Sequence, residues 1–216
     1  MNKSFYNRIL SSIILMPSTF FFIIKGSFFF YFFLFICCLL SLKEWKNMSF
    51  QKKYYYPGII FLLFSILSAF FLRTTDEDGL FSFLYVILIC IFSDLGGYFV
   101  GNLVKGPKLT KISPKKTYSG FIGGFIFSLL SIYLYLLIIN KFYEQNEIFD
   151  TTTVIIVLII STVSQLGDLT ISYFKRKSNI KDTGNLIPGH GGILDRIDGI
   201  IFALPFYYLL IIFNLI

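Results

Sequence analysis

The chain has 216 residues, of which 56% are hydrophobic and 28 are phenylalanine, and it carries a formal net charge of +7. A soluble domain of this length could not hide that much apolar surface, so the composition favours a lipid bilayer as solvent. A net positive charge could indicate a nucleic-acid partner. The placement of the cations argues against this, because they interrupt apolar runs instead of covering one solvated face. Anionic lipid headgroups or an anionic substrate fit this pattern better.

The apolar residues form seven stretches, and these predict an all-α, polytopic integral membrane protein. They cover residues 9–24, 28–42, 57–72, 80–100, 119–140, 152–174 and 193–216. The last four are long enough to cross a bilayer at ~1.5 Å per residue, whereas the first three are short and the first two could form one shallow hairpin. The N-terminus resembles a signal peptide without a small-residue cleavage site, so a retained helix is predicted.

The distribution of cations predicts the orientation of the chain. If the loops alternate from a cytoplasmic N-terminus, the inside segments hold 15 Lys and Arg residues and the outside loops hold three. This bias predicts about seven spans, with the N-terminus inside and the C-terminus outside. Cys37, Cys38 and Cys90 all lie within apolar runs, and their spacing indicates neither a disulfide framework nor a metal–thiolate site.

Five acidic residues belong to the predicted cytoplasmic half of the molecule: Asp94, Asp168, Asp182, Asp195 and Asp198. Asp94 and Asp168 fall within apolar helices, where a carboxylate costs about 2.5–3.5 kcal/mol or more and usually marks a function. The alternative is a structural pairing with a lysine between helices. Most other acids fall in the outside loops, and Glu44 lies at an inside helix end.

The inside loops carry chemistry that suits phosphate. Residues 105–120 hold five lysines and no acid, which is typical of a cradle for a polyanion or of a contact with anionic lipid. Asp195 and Asp198 are three residues apart, so a helix would place both carboxylates on one face. Such oxygens bind Mg²⁺ while nearby cations neutralise phosphate, which indicates phosphoryl or nucleotidyl transfer. A helix-capping ion pair is the simpler reading of these two residues together with Arg196.

One long pattern is more specific than any of these features. It reads Ser172-x-x-Lys175-Arg176, then Lys181-Asp182-x-Gly184, then Pro188-Gly189-His190-Gly191-Gly192-x-x-Asp195-Arg196-x-Asp198. This pattern closely resembles the signature of the phosphatidate cytidylyltransferase (CDP-diacylglycerol synthase) family, and residues 93–120 and 167–176 resemble segments upstream of that signature. The chain departs from the family pattern at Asn102 and Ser119.

The resemblance implies the reaction CTP + phosphatidate → CDP-diacylglycerol + pyrophosphate, with Mg²⁺ as cofactor and a second metal ion left open. It implies a metal site built from Asp195, Asp198 and either Asp168 or Asp182, with Asp94 as a further candidate. It also implies phosphate contacts by Lys175, Arg176, Lys181 and Arg196. The nucleotide would be enclosed by Gly189, His190, Gly191 and Gly192, and Ser172, Lys115 and Lys116 would bind substrate.

The expected organisation is one membrane domain, with N-terminal helices over residues 1–92 and a catalytic region over 93–216 whose signature spans 172–198. The resemblance also leads us to expect membrane lipids as partners, a homodimer and a bacterial-type inner membrane location with a site facing the cytoplasm. Three alternatives stay open. They are a CTP-dependent kinase or cytidylyltransferase for another lipid, a non-catalytic lipid-binding subunit, and a transporter, although no internal repeat supports the transporter.

Overall fold

The computed structural model describes residues 13, 15, 17–74, 79–110, 112–143, 148–186 and 191–215. The helices are α1 (Ser27–Ser49), α2 (Tyr55–Thr74), α3 (Gly79–Val104), α4 (Tyr118–Tyr143), α5 (Thr151–Lys177), α6 (Leu194–Ile197) and α7 (Ile200–Ile212). Residues 17–25 are also helical. The β-structure among the described residues is a single bridge between Lys108 and Thr117, so the all-α prediction is confirmed.

Helices α1 to α5 are long and apolar enough to cross a membrane, as expected for a polytopic membrane protein. The count of seven spans and the orientation stay predictions, and part of the stretch 9–24 lies outside the described residues. The predicted stretch 193–216 is divided into α6 and the 13-residue α7, although Asp198 and Gly199 between them keep helical dihedrals. Whether this stretch forms a span stays a prediction.

The buried positions of α1 follow the helical repeat. Phe30, Leu34, Cys37, Ser41 and Glu44 recur at intervals of three or four residues and therefore share one face. The remaining face is rich in exposed phenylalanine, which is favourable where the neighbour is lipid. Helix α1 continues to Ser49 instead of ending at residue 42, so its charged C-terminal turns belong to the folded protein.

Helices α3 and α4 pack closely at glycine residues. A Cβ atom on Gly96 would lie 2.3 Å from the Gly123 carbonyl oxygen, and one on Gly120 would lie 2.7 Å from the Gly97 carbonyl oxygen. Only glycine permits this backbone approach, which is a common device between membrane helices. The close contact brings Asp94 on α3 next to the loop that precedes α4.

Two hydrogen bonds join segments that the charge pattern assigns to the same side of the membrane. At one end, the Lys52 ammonium donates a hydrogen bond to the Ser178 hydroxyl at 2.7 Å, which joins the loop after α1 to the end of α5. At the other end, the Arg73 guanidinium donates to the Ile23 carbonyl oxygen at 3.3 Å. Segments that were predicted to share a side of the membrane therefore lie together.

Candidate active site

A polar cavity of about 300 Å³ lies where α3, α4 and α5 approach the lysine-rich loop 105–117. Helices α3 and α5 contribute Ser93, Asp94, Gly97, Tyr98, Gln165 and Asp168, and the loop with the start of α4 contributes Leu109, Ser113, Lys115, Lys116, Thr117, Gly120 and Phe121. The cavity combines two carboxylates, two ammonium groups and several hydroxyls in an otherwise apolar molecule. It is therefore suited to a charged ligand.

Backbone hydrogen bonds join the described residues on the two sides of the loop 105–117. The Leu109 N–H donates to the Lys116 carbonyl at 2.8 Å, and the Lys116 N–H donates to the Ser113 carbonyl at 3.0 Å. Gly106 adopts a φ of +113°, a conformation that glycine accepts at little cost. This folding presents Lys115 and Lys116 to the cavity.

Three carboxyl groups meet beside this cavity, and we call Asp94, Asp168 and Asp198 the carboxylate cluster. The Asp168 carboxylate pairs with the Lys116 ammonium and accepts a hydrogen bond from the Ser172 hydroxyl at 3.3 Å. The Asp198 side chain is 8% exposed and hydrogen-bonds with Asp168. Asp94 interacts electrostatically with both of the other carboxyl groups.

Burial and the proximity of like charges both act on this cluster. Asp198 lies between α6 and α7, outside the long apolar helices. Burial raises the pKa of its carboxyl well above the ordinary value, and the charges of Asp168 and Asp94 raise it further. A bound cation would relieve the same repulsion, so the cluster is suited to one.

Asp195 has a different environment from Asp198. One of its oxygens accepts a hydrogen bond from the Lys175 ammonium at 2.8 Å, and the other accepts from the backbone N–H groups of Thr183 at 2.8 Å and Gly192 at 2.9 Å. Burial alone would raise the pKa of the Asp195 carboxyl. The Lys175 ammonium and the two N–H groups outweigh burial and hold the pKa below its ordinary value.

Glu44 is a second buried carboxylate near these residues, and no local sequence pattern predicted its place at the site. It is 2% exposed and reaches from α1 to the start of α6. Its oxygens accept hydrogen bonds from the N–H groups of Ile193 and Leu194, both at 2.9 Å, and from the Thr183 hydroxyl at 2.7 Å. We call Glu44, Lys175, Thr183, Gly192 and Asp195 the loop anchor.

Two glycines of the signature make the loop anchor possible. Gly191 has a φ of +83°, and a Cβ atom there would lie 2.7 Å from an Asp195 carboxylate oxygen. A Cβ atom on Gly192 would lie 2.3 Å from a Glu44 carboxylate oxygen. These glycines let the backbone approach two carboxylates, so in this structure they shape the loop from which substrate contacts would be made.

The other residues of the predicted site lie around these two groups. Arg176, Lys181 and Asp182 are exposed near the end of α5, where an Arg176 nitrogen donates to the Ile180 carbonyl at 3.0 Å. Arg196 is exposed on α6 and interacts electrostatically with Asp94. Gly189 and His190 lie outside the described residues. The roles given to all these residues stay predictions.

The carboxylate cluster fits Mg²⁺ by the type and charge of its donors. No three His, Cys, Asp or Glu side chains in the described part of the chain already form a metal-binding group. However, Asp168 and Asp198 are in contact, Asp94 acts on both, and their repulsion favours a hard divalent ion. Asp195 was also predicted to bind metal; both of its oxygens accept hydrogen bonds here, and its metal role stays a prediction.

Membrane-length helices around a cavity that is lined by carboxylates and lysines define an integral membrane protein with a polar site. Comparison with known proteins gives its family. The model of the cytidylyltransferase family matches residues 54–213, and the chain belongs to that family. The resemblance inferred from the signature is thereby confirmed.

Curated relatives agree along most of the chain. It is similar to the phosphatidate cytidylyltransferase of Rickettsia bellii, with 37% identity over 211 residues that cover 95% of this chain and 90% of the relative. The protein of the same name from Rickettsia typhi is 38% identical over 215 residues, covering 95% of this chain and 91% of the relative. The Bacillus subtilis protein of that name is 40% identical over 145 residues, covering 66% and 52%.

Proposed function

We propose that this chain is a phosphatidate cytidylyltransferase, which transfers the cytidylyl group of CTP to phosphatidate. The observation that carries the proposal is the carboxylate cluster, which meets Lys116 in one polar cavity beside a loop bearing the family signature. Relatives that are similar over most of the chain length carry that name. A cavity at the end of membrane helices suits one soluble polyanion and one lipid.

In the proposed reaction, a phosphate oxygen of phosphatidate attacks the α-phosphorus of CTP. A new phosphorus–oxygen bond forms, the bond between the α-phosphorus and the bridging oxygen to the β-phosphate breaks, and pyrophosphate leaves with that electron pair. The attacking phosphate is anionic at neutral pH, so no side chain has to remove a proton. Repulsion between two polyanions is the main barrier, and fixed positive charge lowers it.

Three groups of residues have different roles in the proposed reaction. Lys115 and Lys116 face the cavity from an ordered loop and neutralise the phosphates of CTP. Asp168, Asp198 and Asp94 would hold Mg²⁺, which supplies charge neutralisation at phosphate oxygens when bound. The loop anchor holds the backbone at Gly192, whose N–H donates to Asp195 at 2.9 Å, and so positions the described end of the signature for contact with substrate.

The test is conversion of radiolabelled CTP into a lipid-soluble product by purified protein with phosphatidate and Mg²⁺. Wild type is compared with Asp198→Asn, which keeps the shape of the side chain and removes its charge. Asp150→Asn is the matched control, because Asp150 caps the far end of α5 by accepting from the Thr153 N–H at 2.8 Å, and asparagine caps equally well. We expect product from wild type and from the control, and near-complete loss in Asp198→Asn.

Each result has a separate meaning. If folded wild-type protein binds CTP but makes no product from any phosphatidate, the acceptor is wrong, and other lipid acceptors such as polyprenols are tested next. If Asp198→Asn is as active as wild type, the reaction stands and the role of the carboxylate cluster is overturned. Loss of activity in Asp150→Asn as well would indicate a general effect of the substitution on folding.

The finer cellular arrangement belongs to the same proposal. We propose a bacterial-type inner membrane, a site that faces the cytoplasm, seven spans and a homodimer. Charge bias supports the orientation, because the lysine-rich segments lie at one end of the helices. Single cysteines placed at Lys53 and Lys141 in a cysteine-free protein test it, since an impermeant maleimide applied to intact cells should label only the second.

A further inference from the structure

A second cavity, of about 420 Å³, is lined in part by α6 and the residues next to it. It is bounded by the helical segment 17–25, by α1, α2 and α3, and by α6 with α7. The lining residues are Leu15, Thr19, Phe20, Ile23, Phe33, Leu34, Cys37, Ser65, Ile66, Ala69, Phe83, Ile87, Ile91, Ile193, Arg196, Ile197, Ile200, Ile201 and Leu204. We call it the apolar cavity.

The lining of the apolar cavity includes one charged side chain. Its walls are almost entirely aliphatic and aromatic, and Arg196 is the one charged residue among the described residues that line it. Its volume lies within the roughly 300–1,000 Å³ that is usual for sites that enclose a small-molecule ligand. An apolar cavity that is lined by one guanidinium group suits an amphiphile with an anionic head.

Helix α6 connects the apolar cavity to the carboxylate cluster. Ile193, Arg196 and Ile197 line the cavity from this short helix and the residue before it. The Arg196 charge also acts on Asp94, and Asp198, two residues further along, hydrogen-bonds with Asp168. Arg196 therefore links the apolar cavity to the groups to which we assign the reaction.

We propose that the apolar cavity holds an acyl chain of the phosphatidate substrate, with the lipid phosphate at Arg196. The inference rests on the proposed function and adds to it the site that selects the lipid. A bilayer is as apolar as this cavity, so burial of the chain gives little net affinity. The cavity instead discriminates by fit, because a chain that overfills or underfills it misplaces the phosphate.

A matched pair of substitutions on α2 tests the inference. Ile66 lines the apolar cavity, whereas its neighbour Leu67 is 53% exposed and does not line it. Ile66→Trp should fill the cavity, and Leu67→Trp adds a ring of the same size outside it. The measurement is kcat/KM for dioctanoyl and dipalmitoyl phosphatidate, each diluted into the same detergent micelles.

We expect Ile66→Trp to lower the ratio of long-chain to short-chain kcat/KM at least fivefold, while Leu67→Trp leaves the ratio at the wild-type value. An unchanged ratio in Ile66→Trp, or the same change in both variants, overturns the inference while wild-type activity leaves the proposed function intact. Wild-type protein that makes product from neither lipid overturns the proposed function and the inference with it.

A second measurement uses unaltered protein, so it does not depend on the folding of Ile66→Trp. Wild type in nanodiscs is photolabelled with phosphatidate that carries a diazirine at the end of one acyl chain, and the labelled residues are found by mass spectrometry. Phosphatidylcholine with the same labelled chain is the control. We expect stronger phosphatidate labelling within 19–23 and 65–69; equal labelling by both lipids, or labelling confined to other segments, overturns the inference.

Discussion

The carboxylate cluster and the loop anchor lie close together in the molecule and use the same functional group in opposite ways. In the loop anchor, Glu44 and Asp195 accept hydrogen bonds on both oxygens, from backbone N–H groups and side chains that are themselves held in place. In the carboxylate cluster, Asp198 faces other carboxyl groups, and the Asp168 carboxylate pairs directly with Lys116 while the Lys175 charge also acts on it.

This difference assigns a structural role to the loop anchor and a ligand-binding role to the carboxylate cluster. A carboxylate whose hydrogen bonds are complete stabilises the fold and has little capacity left for a ligand. Carboxylates that repel one another destabilise the empty protein and gain most when a cation binds. Substitutions should therefore affect stability at the loop anchor and activity at the carboxylate cluster, and the predictions that follow test this division.

Asp168→Asn should have the largest effect on activity. Removing this charge weakens the metal and phosphate site, so we expect turnover to fall about 10²–10³-fold, the scale seen when one key electrostatic group is lost. Folding should be preserved, because one source of like-charge repulsion disappears and the half-buried Lys116 can reach water. Turnover and thermal unfolding in detergent check both parts. A large fall in the unfolding temperature would show that Asp168 mainly supports the fold.

Glu44→Ala should have the largest effect on stability. The change leaves the N–H groups of Ile193 and Leu194 without their acceptor in a buried setting, while the Thr183 hydroxyl loses one acceptor and keeps Asp195 at 3.1 Å. Unpaired groups of this kind cost about 1–3 kcal/mol each, so the unfolding temperature should fall by roughly 10 °C. The unfolding temperature of Glu44→Gln should fall by less, because the amide oxygen still accepts a hydrogen bond. Equal stability of Glu44→Ala and wild type would exclude an anchoring role.

Lys116→Gln should have a moderate effect that is confined to the nucleotide. The ammonium lines the polar cavity and pairs with Asp168, so its loss removes one charge-assisted contact to a phosphate. We expect the KM for CTP to rise about tenfold, while the KM for phosphatidate changes less than twofold. The measurement is initial rate against CTP concentration at fixed lipid. Equal changes in both KM values would contradict a specific contact with the nucleotide.

The sequence predicted what depends on local pattern. Apolar runs predicted the long helices, and the cost of a charge in lipid singled out Asp94 and Asp168, which line the polar cavity. The sequence could not predict contacts between segments that are distant along the chain. Glu44 is 149 residues from Ile193 along the chain, and no periodicity links them. The spacing of Asp195 and Asp198 predicted a helical turn but not that Lys175 and Asp168 would draw the two carboxylates to different partners.

Lys181→Gln should have the smallest effect and tests how far the site extends. Lys181 is exposed, and contacts of exposed charges are worth about 0–1 kcal/mol, so we expect the KM for CTP to rise no more than about fivefold. Salt should remove the effect, because screening is strong at an exposed position. Lys177→Gln is the matched control, since Lys177 lies at the same end of α5 and stacks over the Tyr54 ring at 5.0 Å. A rise of the KM for CTP in Lys181→Gln alone indicates a direct contact with phosphate. Equal rises in both variants would show that Lys181 contributes only to the positive electrostatic potential of this surface.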